Sequence, residues 1–147
     1  QIQVIWQTGK GYYETYRAQL GKYDLKRVRV QDFLKEMDLA YAAADVVISR
    51  SGALAVSELC IAAKPTILVP SPNVAEDHQT KNAMALVEKD AAQMVSDKEA
   101  KEKLVDQALK LIFDENLANR LRENIGKLAR PHATEDIVNE IEKLIKR

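Results

Sequence analysis

The sequence predicts an α/β fold, a parallel β-sheet with helical crossovers. Short runs rich in Val and Ile recur without strict alternation, the pattern of strands covered on both faces. Segments of helical period lie between them, and strand–helix alternation of this kind implies parallel strands joined by right-handed connections. In order, strands are expected at Ile2–Gln7, Val28–Phe33, Val46–Ser49, Thr66–Pro70 and Ala92–Val95, and helices at Tyr12–Leu20, Met37–Ala43, Leu54–Ala63 and His78–Glu88. Helix then dominates from Lys101 to the end, with one apolar stripe on Leu104, Ala108, Leu111 and Ile112. A second stripe falls on Ile137, Ile141, Leu144 and Ile145, reached through Pro131 and expected to be capped by Thr134, with Glu135 and Asp136 in its first turn.

The 147 residues suffice for one domain with its own core, and neither repeats nor low-complexity segments interrupt them. Lys plus Arg (22) balance Asp plus Glu (22), which argues against nucleic-acid or anionic-membrane binding through net charge. The single cysteine, Cys60, excludes an internal disulfide and fits a reducing compartment; its place on the apolar face of a helix makes it core filler. No apolar run is long enough to span a bilayer, and no secretory signal is visible. The chain opens at Gln1, inside an expected strand and without Met, so a fragment is expected.

The most informative stretch is Ser49-Arg50-Ser51-Gly52-Ala53-Leu54-Ala55-Val56-Ser57-Glu58. A strand stops, a Ser/Gly turn follows and a helix opens with Val56, Leu59, Cys60 and Ala63 on one face. Such a junction aims free backbone N–H groups and the positive end of a helix dipole at one spot, which suits a phosphate. It also describes an ordinary loop with small residues at a helix start. Arg50 is placed either to hold a phosphate or to pair with a neighbouring acid. Glu58 stands about 9 Å along the helix from Gly52, the spacing of sugar hydroxyls from phosphates in a nucleotide; otherwise it is a solvated helix residue.

Glu76-Asp77-His78-Gln79-Thr80-Lys81-Asn82 opens the next helix, with Asp77 expected as N-cap. His78 and Gln79 fall in its first turn, and Asn82 lies one turn later on the His78 face. Gln79 both donates and accepts, which suits a sugar hydroxyl. The alternative is a capped polar surface helix. Ser71-Pro72-Asn73-Val74 reads as a loop leaving the carboxyl end of a strand, the usual ligand side of such sheets. Phe33 and Leu34 end another strand and Met37 follows, as core or as the flank of a base. Gly9-Lys10-Gly11 lacks the spacing of a phosphate loop and reads as a turn. Neither a Ser/His/Asp set nor metal-spaced Cys/His is present.

Taken together, Phe33-Leu34 with Met37, Ala44-Asp45-Val46-Val47, Arg50-Ser51-Gly52-Ala53-Leu54 with Ser57-Glu58, Pro65, Val69-Pro70, and Asp77-His78-Gln79 with Asn82-Ala83 resemble the carboxyl-terminal half of the MurG family. These are transferases that move N-acetylglucosamine from UDP to a lipid-linked muramyl-pentapeptide in peptidoglycan synthesis. The resemblance covers nearly the whole chain. It implies the Rossmann-like carboxyl half of a two-domain GT-B glycosyltransferase, so that residues 1–147 form one donor-nucleotide-binding domain. By position, the Leu34 backbone reads uracil beside Phe33; Ser51, Gly52, Ala53, Leu54 and Ala55 face the diphosphate, with Arg50 nearby; Glu58 grips the ribose; His78 and Gln79 hold the sugar, supported by Asn82. Ala55 departs from the hydroxyl residue expected in some members. No metal or other cofactor is implied.

The resemblance further implies that the general base, the acceptor loop and the membrane-facing patch lie in an amino-terminal half absent from this sequence. This half alone is then inactive, and any membrane contact, at the inner face of the cell membrane, runs through the other. The first strand of the donor half is absent as well. It belongs between the strands starting near Ile2 and Val46, so a gap in the sheet is expected there. Two alternatives remain: the donor subunit of a split dolichol-linked N-acetylglucosaminyltransferase, and a non-catalytic nucleotide-binding module.

Overall fold

The computed structural model describes residues 2–145; Gln1, expected inside the first strand, and Lys146 and Arg147, expected at the end of the last helix, lie outside the described residues. The chain divides into two compact units, Gln1–Ala43 and Ala44–Arg147. The strands form two parallel sheets. The first holds β1 (Val4–Gln7) and β2 (Val28–Gln31), and the second holds β3 (Val47–Ser49), β4 (Thr66–Leu68) and β5 (Gln93–Met94) in that order. Among the described residues no ladder joins the two sheets.

In the first unit, Val4 pairs with Val28 and Gln7 with Gln31. Helix α1 (Lys10–Leu20) connects the two strands, and α2 (Met37–Ala43) follows β2. Trp6 of β1 packs on Tyr16 of α1 with ring centroids 5.0 Å apart, which fastens the helix to its strand. The expected turn at Gly9-Lys10-Gly11 shrinks to one residue. Gly9 reverses the chain alone at φ 78°, ψ 151°, a region open in practice only to glycine, so Lys10 and Gly11 already lie in α1. Strand β2 stops before Phe33 because the Phe33 N–H turns to Asp32 Oδ1 at 2.8 Å.

In the second unit β4 is the central strand, and all three of its residues are buried. Its ladder reaches one bond further, from Val69 N–H to Ser49 O at 2.8 Å, and then meets Pro70, which has no N–H to donate. Helix α3 (Ala53–Ala62) follows β3 and buries Leu59 and Cys60. Helix α4 (His78–Val87) buries Ala83 and Leu86 and leads to β5. The helical carboxyl-terminal stretch resolves into α5 (Asp97–Phe113), α6 (Glu115–Gly126) and α7 (Ala133–Ile145). Ile67, Val95, Leu111 and Leu121 form a buried cluster, with Leu104, Ala108, Leu117 and Ala118 packed against it, so the first apolar stripe builds the core.

The second stripe is present on α7 but stays exposed within this chain, Leu144 by 71%. Thr134 does not cap that helix. The helix begins one residue earlier, and its first turn closes on the His132 carbonyl, which accepts from the Asp136 N–H at 3.0 Å. Asp114 separates α5 from α6 and caps the latter, its Oδ1 accepting from the Leu117 N–H at 2.9 Å. Asp114→Ala is expected to cost about 1 kcal/mol, the usual worth of such a cap, read as a lower denaturant midpoint with unchanged slope.

Candidate functional site

Chemistry gathers in the second unit where β3 and β4 end. After Ser49 the chain passes through Arg50 and Ser51 to Gly52, which caps α3 from an extended backbone (φ −63°, ψ 150°) without any side-chain capping bond. The first intrahelical bond runs from the Val56 N–H to Gly52 O at 2.9 Å. Ahead of it, the N–H groups of Gly52, Ala53, Leu54 and Ala55 find no acceptor among the described residues. Ala53 and Leu54 are exposed, Leu54 by 82%. Four open donors at the positive end of a ten-residue helix make a place for an anion.

Helix α4 supports this junction. Ser51 is fully buried. Its hydroxyl donates to Gln79 O at 2.8 Å and its N–H to Gln79 Oε1 at 3.3 Å. Asn82 Nδ2 donates to Ser51 O at 3.0 Å. The same Gln79 Oε1 accepts from the Ser71 N–H at 2.9 Å, which ties in the loop leaving β4. The side chain of Gln79 is thereby oriented, with its acceptor end used inside the protein and its Nε2 hydrogens left as donors. Gln79 thus cannot serve a sugar hydroxyl as donor and acceptor at once.

His78 Nδ1 lies 2.8 Å from Ala75 O. A carbonyl only accepts, so Nδ1 is the donor here, and Nε2 is the ring nitrogen left for a ligand. Asp77 occupies the N-cap position of α4 but makes no backbone cap. Its backbone is left-handed (φ 52°, ψ 34°) rather than extended, which turns the carboxylate away from the following N–H groups. The carboxylate accepts from the Thr80 hydroxyl at 2.6 Å instead. Glu76 before it is also left-handed (φ 53°), so two consecutive non-glycine residues adopt a strained backbone at this rim.

The alternatives for Arg50 resolve towards a structural tie. Its Nη1 donates to Val69 O at 3.1 Å and Pro70 O at 3.3 Å and pairs with Asp97 Oδ1 at 2.5 Å, joining the ends of β3 and β4 to the start of α5. Glu58 is exposed on the second turn of α3, and Ala55 has no side-chain donor to offer. Burial pushes the Cys60 thiol above its ordinary range, partly opposed by Lys89, as befits core filler. Among the described residues no group of three or more His, Cys, Asp or Glu side chains is placed to hold a metal ion.

Phe33 and Leu34 belong to the first unit. Phe33 is 57% exposed. The Leu34 backbone was expected to read a base edge; its N–H donates to Gln7 Oε1 at 2.7 Å, which leaves the carbonyl as the group it can offer. Gln7, Ala75 and Asp97 were not singled out from the sequence, and Ser71 only as the start of a loop on the ligand side. Each acts through a contact with a residue distant in sequence or through its backbone, and neither leaves a local motif.

The chain matches the glycosyltransferase family 28 C-terminal domain over residues 1–141. It is 54% identical over 144 residues to the UDP-N-acetylglucosamine–N-acetylmuramyl-(pentapeptide) pyrophosphoryl-undecaprenol N-acetylglucosamine transferase of Christiangramia forsetii, covering 98% of this chain and 38% of that protein. It is 56% identical to the transferase of the same name from Cytophaga hutchinsonii, with the same coverage. The solved structure of Acinetobacter baumannii MurG superposes with a TM-score of 0.80 at 29% identity, over 95% of this chain and 40% of that one. The glycotransferase of kitacinnamycin shares the fold, with a TM-score of 0.68 at 19% identity. The chain thus spans about two fifths of the length of these relatives, and its likeness is to the carboxyl-terminal part of the MurG enzymes. From the extent of the family match, the chain belongs to the glycosyltransferase family 28 C-terminal domains.

Proposed function

We propose that residues 1–147 act as the donor-nucleotide-binding domain of an inverting N-acetylglucosaminyltransferase of peptidoglycan synthesis, with UDP-N-acetylglucosamine as donor. The observation that carries this reading is the set of four open amides at the start of α3, on the carboxyl-end side of β3. These amides take the diphosphate, and Glu58 further along the same helix accepts from the ribose hydroxyls. His78 Nε2 and the paired donors of Gln79 Nε2 hold the sugar. The relatives' names supply the donor and the lipid-linked acceptor.

In this reading the acceptor site and general base lie in the remaining part of the enzyme, so the chain alone binds donor and transfers nothing. The same part brings the enzyme to the inner face of the cell membrane; among the described residues, no helix is long and apolar enough to cross one.

Calorimetric titration with UDP-N-acetylglucosamine, GDP-mannose and NAD tests the proposal, with the uridine ligand expected to bind tightest. Glu58→Ala is expected to weaken that binding about tenfold, the loss of one charged hydrogen bond of about 1.5 kcal/mol. Equal affinity for the three nucleotides, or no effect of Glu58→Ala, would count against the assignment.

A further inference from the structure

Gly52 cannot aim the open amides by itself, because it carries no side chain and α3 has no side-chain cap. Ser51, one residue earlier, is fully buried, and all of its polar groups are held by α4. Its hydroxyl and N–H bond Gln79, and its carbonyl bonds Asn82. Nothing of Ser51 is left for a ligand. β3 has already ended at Ser49, so these bonds set the direction in which the chain enters α3.

We infer that Ser51, with Asn82 as its partner, is a positioning residue: it aims the amides of Gly52–Ala55 at the phosphates without touching them. The inference rests on the reading of this junction as a diphosphate site. Its physical basis is that preorganised donors lose their worth steeply when displaced. It moves Ser51 from the ligand contacts expected from the sequence to the support behind them, and it makes α4 the element that holds the cradle of α3 in place.

Ser51→Ala in the full chain tests this by two measurements. Residual dipolar couplings report the directions of the Ala53, Leu54 and Ala55 N–H vectors; these are expected to change while those of Ile67 and Leu68 in β4 do not. Titration followed by amide shifts is expected to show affinity for UDP falling about tenfold, with affinity for uridine unchanged. Asn82→Ala should act in the same direction, and the double variant should lose no more than the worse single one, since both release the same residue, Ser51, from α4. If Ser51→Ala does not fold, Asn82→Ala carries both measurements. Unchanged amide directions, or equal losses for UDP and uridine, overturn the inference. If the unmodified chain binds neither ligand, the reading of the site fails, while the couplings still decide whether Ser51 aims the amides.

Discussion

Ala53→Pro is expected to leave the fold intact while cutting affinity for UDP roughly ten- to hundredfold. Ala53 is the first residue of α3, the helical position where proline is most at home. Gly52 before it is already extended at φ −63°, ψ 150°, the conformation a following proline demands. The Ala53 N–H makes no bond within the described protein, so deleting it costs no internal partner. Stability should therefore hold, or rise by up to about 1 kcal/mol through the stiffer unfolded chain.

On the ligand side the substitution removes one of four donors to an anion. A bond of that kind is worth about 1.5–3 kcal/mol. Thermal unfolding and a UDP titration on the same preparation separate the two effects. Uridine serves as the control, because it has no phosphate and its affinity should not change. Glu58→Ala should weaken uridine and UDP alike. Full UDP affinity in a folded Ala53→Pro variant would remove the Ala53 N–H from the phosphate site.

The elements were legible where the pattern is local. Residues 47–49 and 66–68 carry their strand character in Val and Ile, and α3 and α4 carry helical period, so the junction at Gly52 could be located from the sequence. The contacts that decide its chemistry were not legible. Ser51 meets Gln79 across 28 residues, Leu34 meets Gln7 across 27, and Arg50 meets Asp97 across 47. A side chain bonded to a distant backbone group or carboxylate leaves no periodic trace. This is why Arg50 stood open between a phosphate and an acid, and why Gln79 looked free to both donate and accept.

Asp77 shows a different limit. Its residue type suits a cap, but the short turn Ala75–Asp77 forces a left-handed backbone that residue preference does not encode. The α7 stripe shows a third. Periodicity identifies the apolar face of a helix and says nothing of whether its partner lies in the same chain. The gap expected between β1 and β3 came from the family resemblance alone, since no local pattern marks it.

Leu111→Ala is expected to destabilise the second unit by about 3 kcal/mol, among the larger losses a single substitution here can cause. Leu111 is fully buried in the cluster with Ile67, Val95 and Leu121, which joins α5 and α6 to the sheet. Removing its branched end leaves a cavity that three other buried side chains cannot fill without leaving their own contacts. Against a total of about 5–15 kcal/mol for a domain of this kind, the loss should lower the melting temperature by roughly 10 °C or more. Leu111→Met keeps the volume and should cost less than about 1.5 kcal/mol.

Phe113→Ala is the informative contrast. It deletes a larger apolar side chain two residues along the same helix, but Phe113 is 74% exposed, so its loss should stay within about 0.5 kcal/mol. Ranked by hydrophobic size alone, Phe113 would matter more; ranked by helix face, Leu111 does. Chemical unfolding of the two variants side by side distinguishes the rankings. If Phe113→Ala proved as costly as Leu111→Ala, α5 would pack on another face, Ile67 would lose its neighbour, and the placement of β4 beside the Gly52 junction would fall with it.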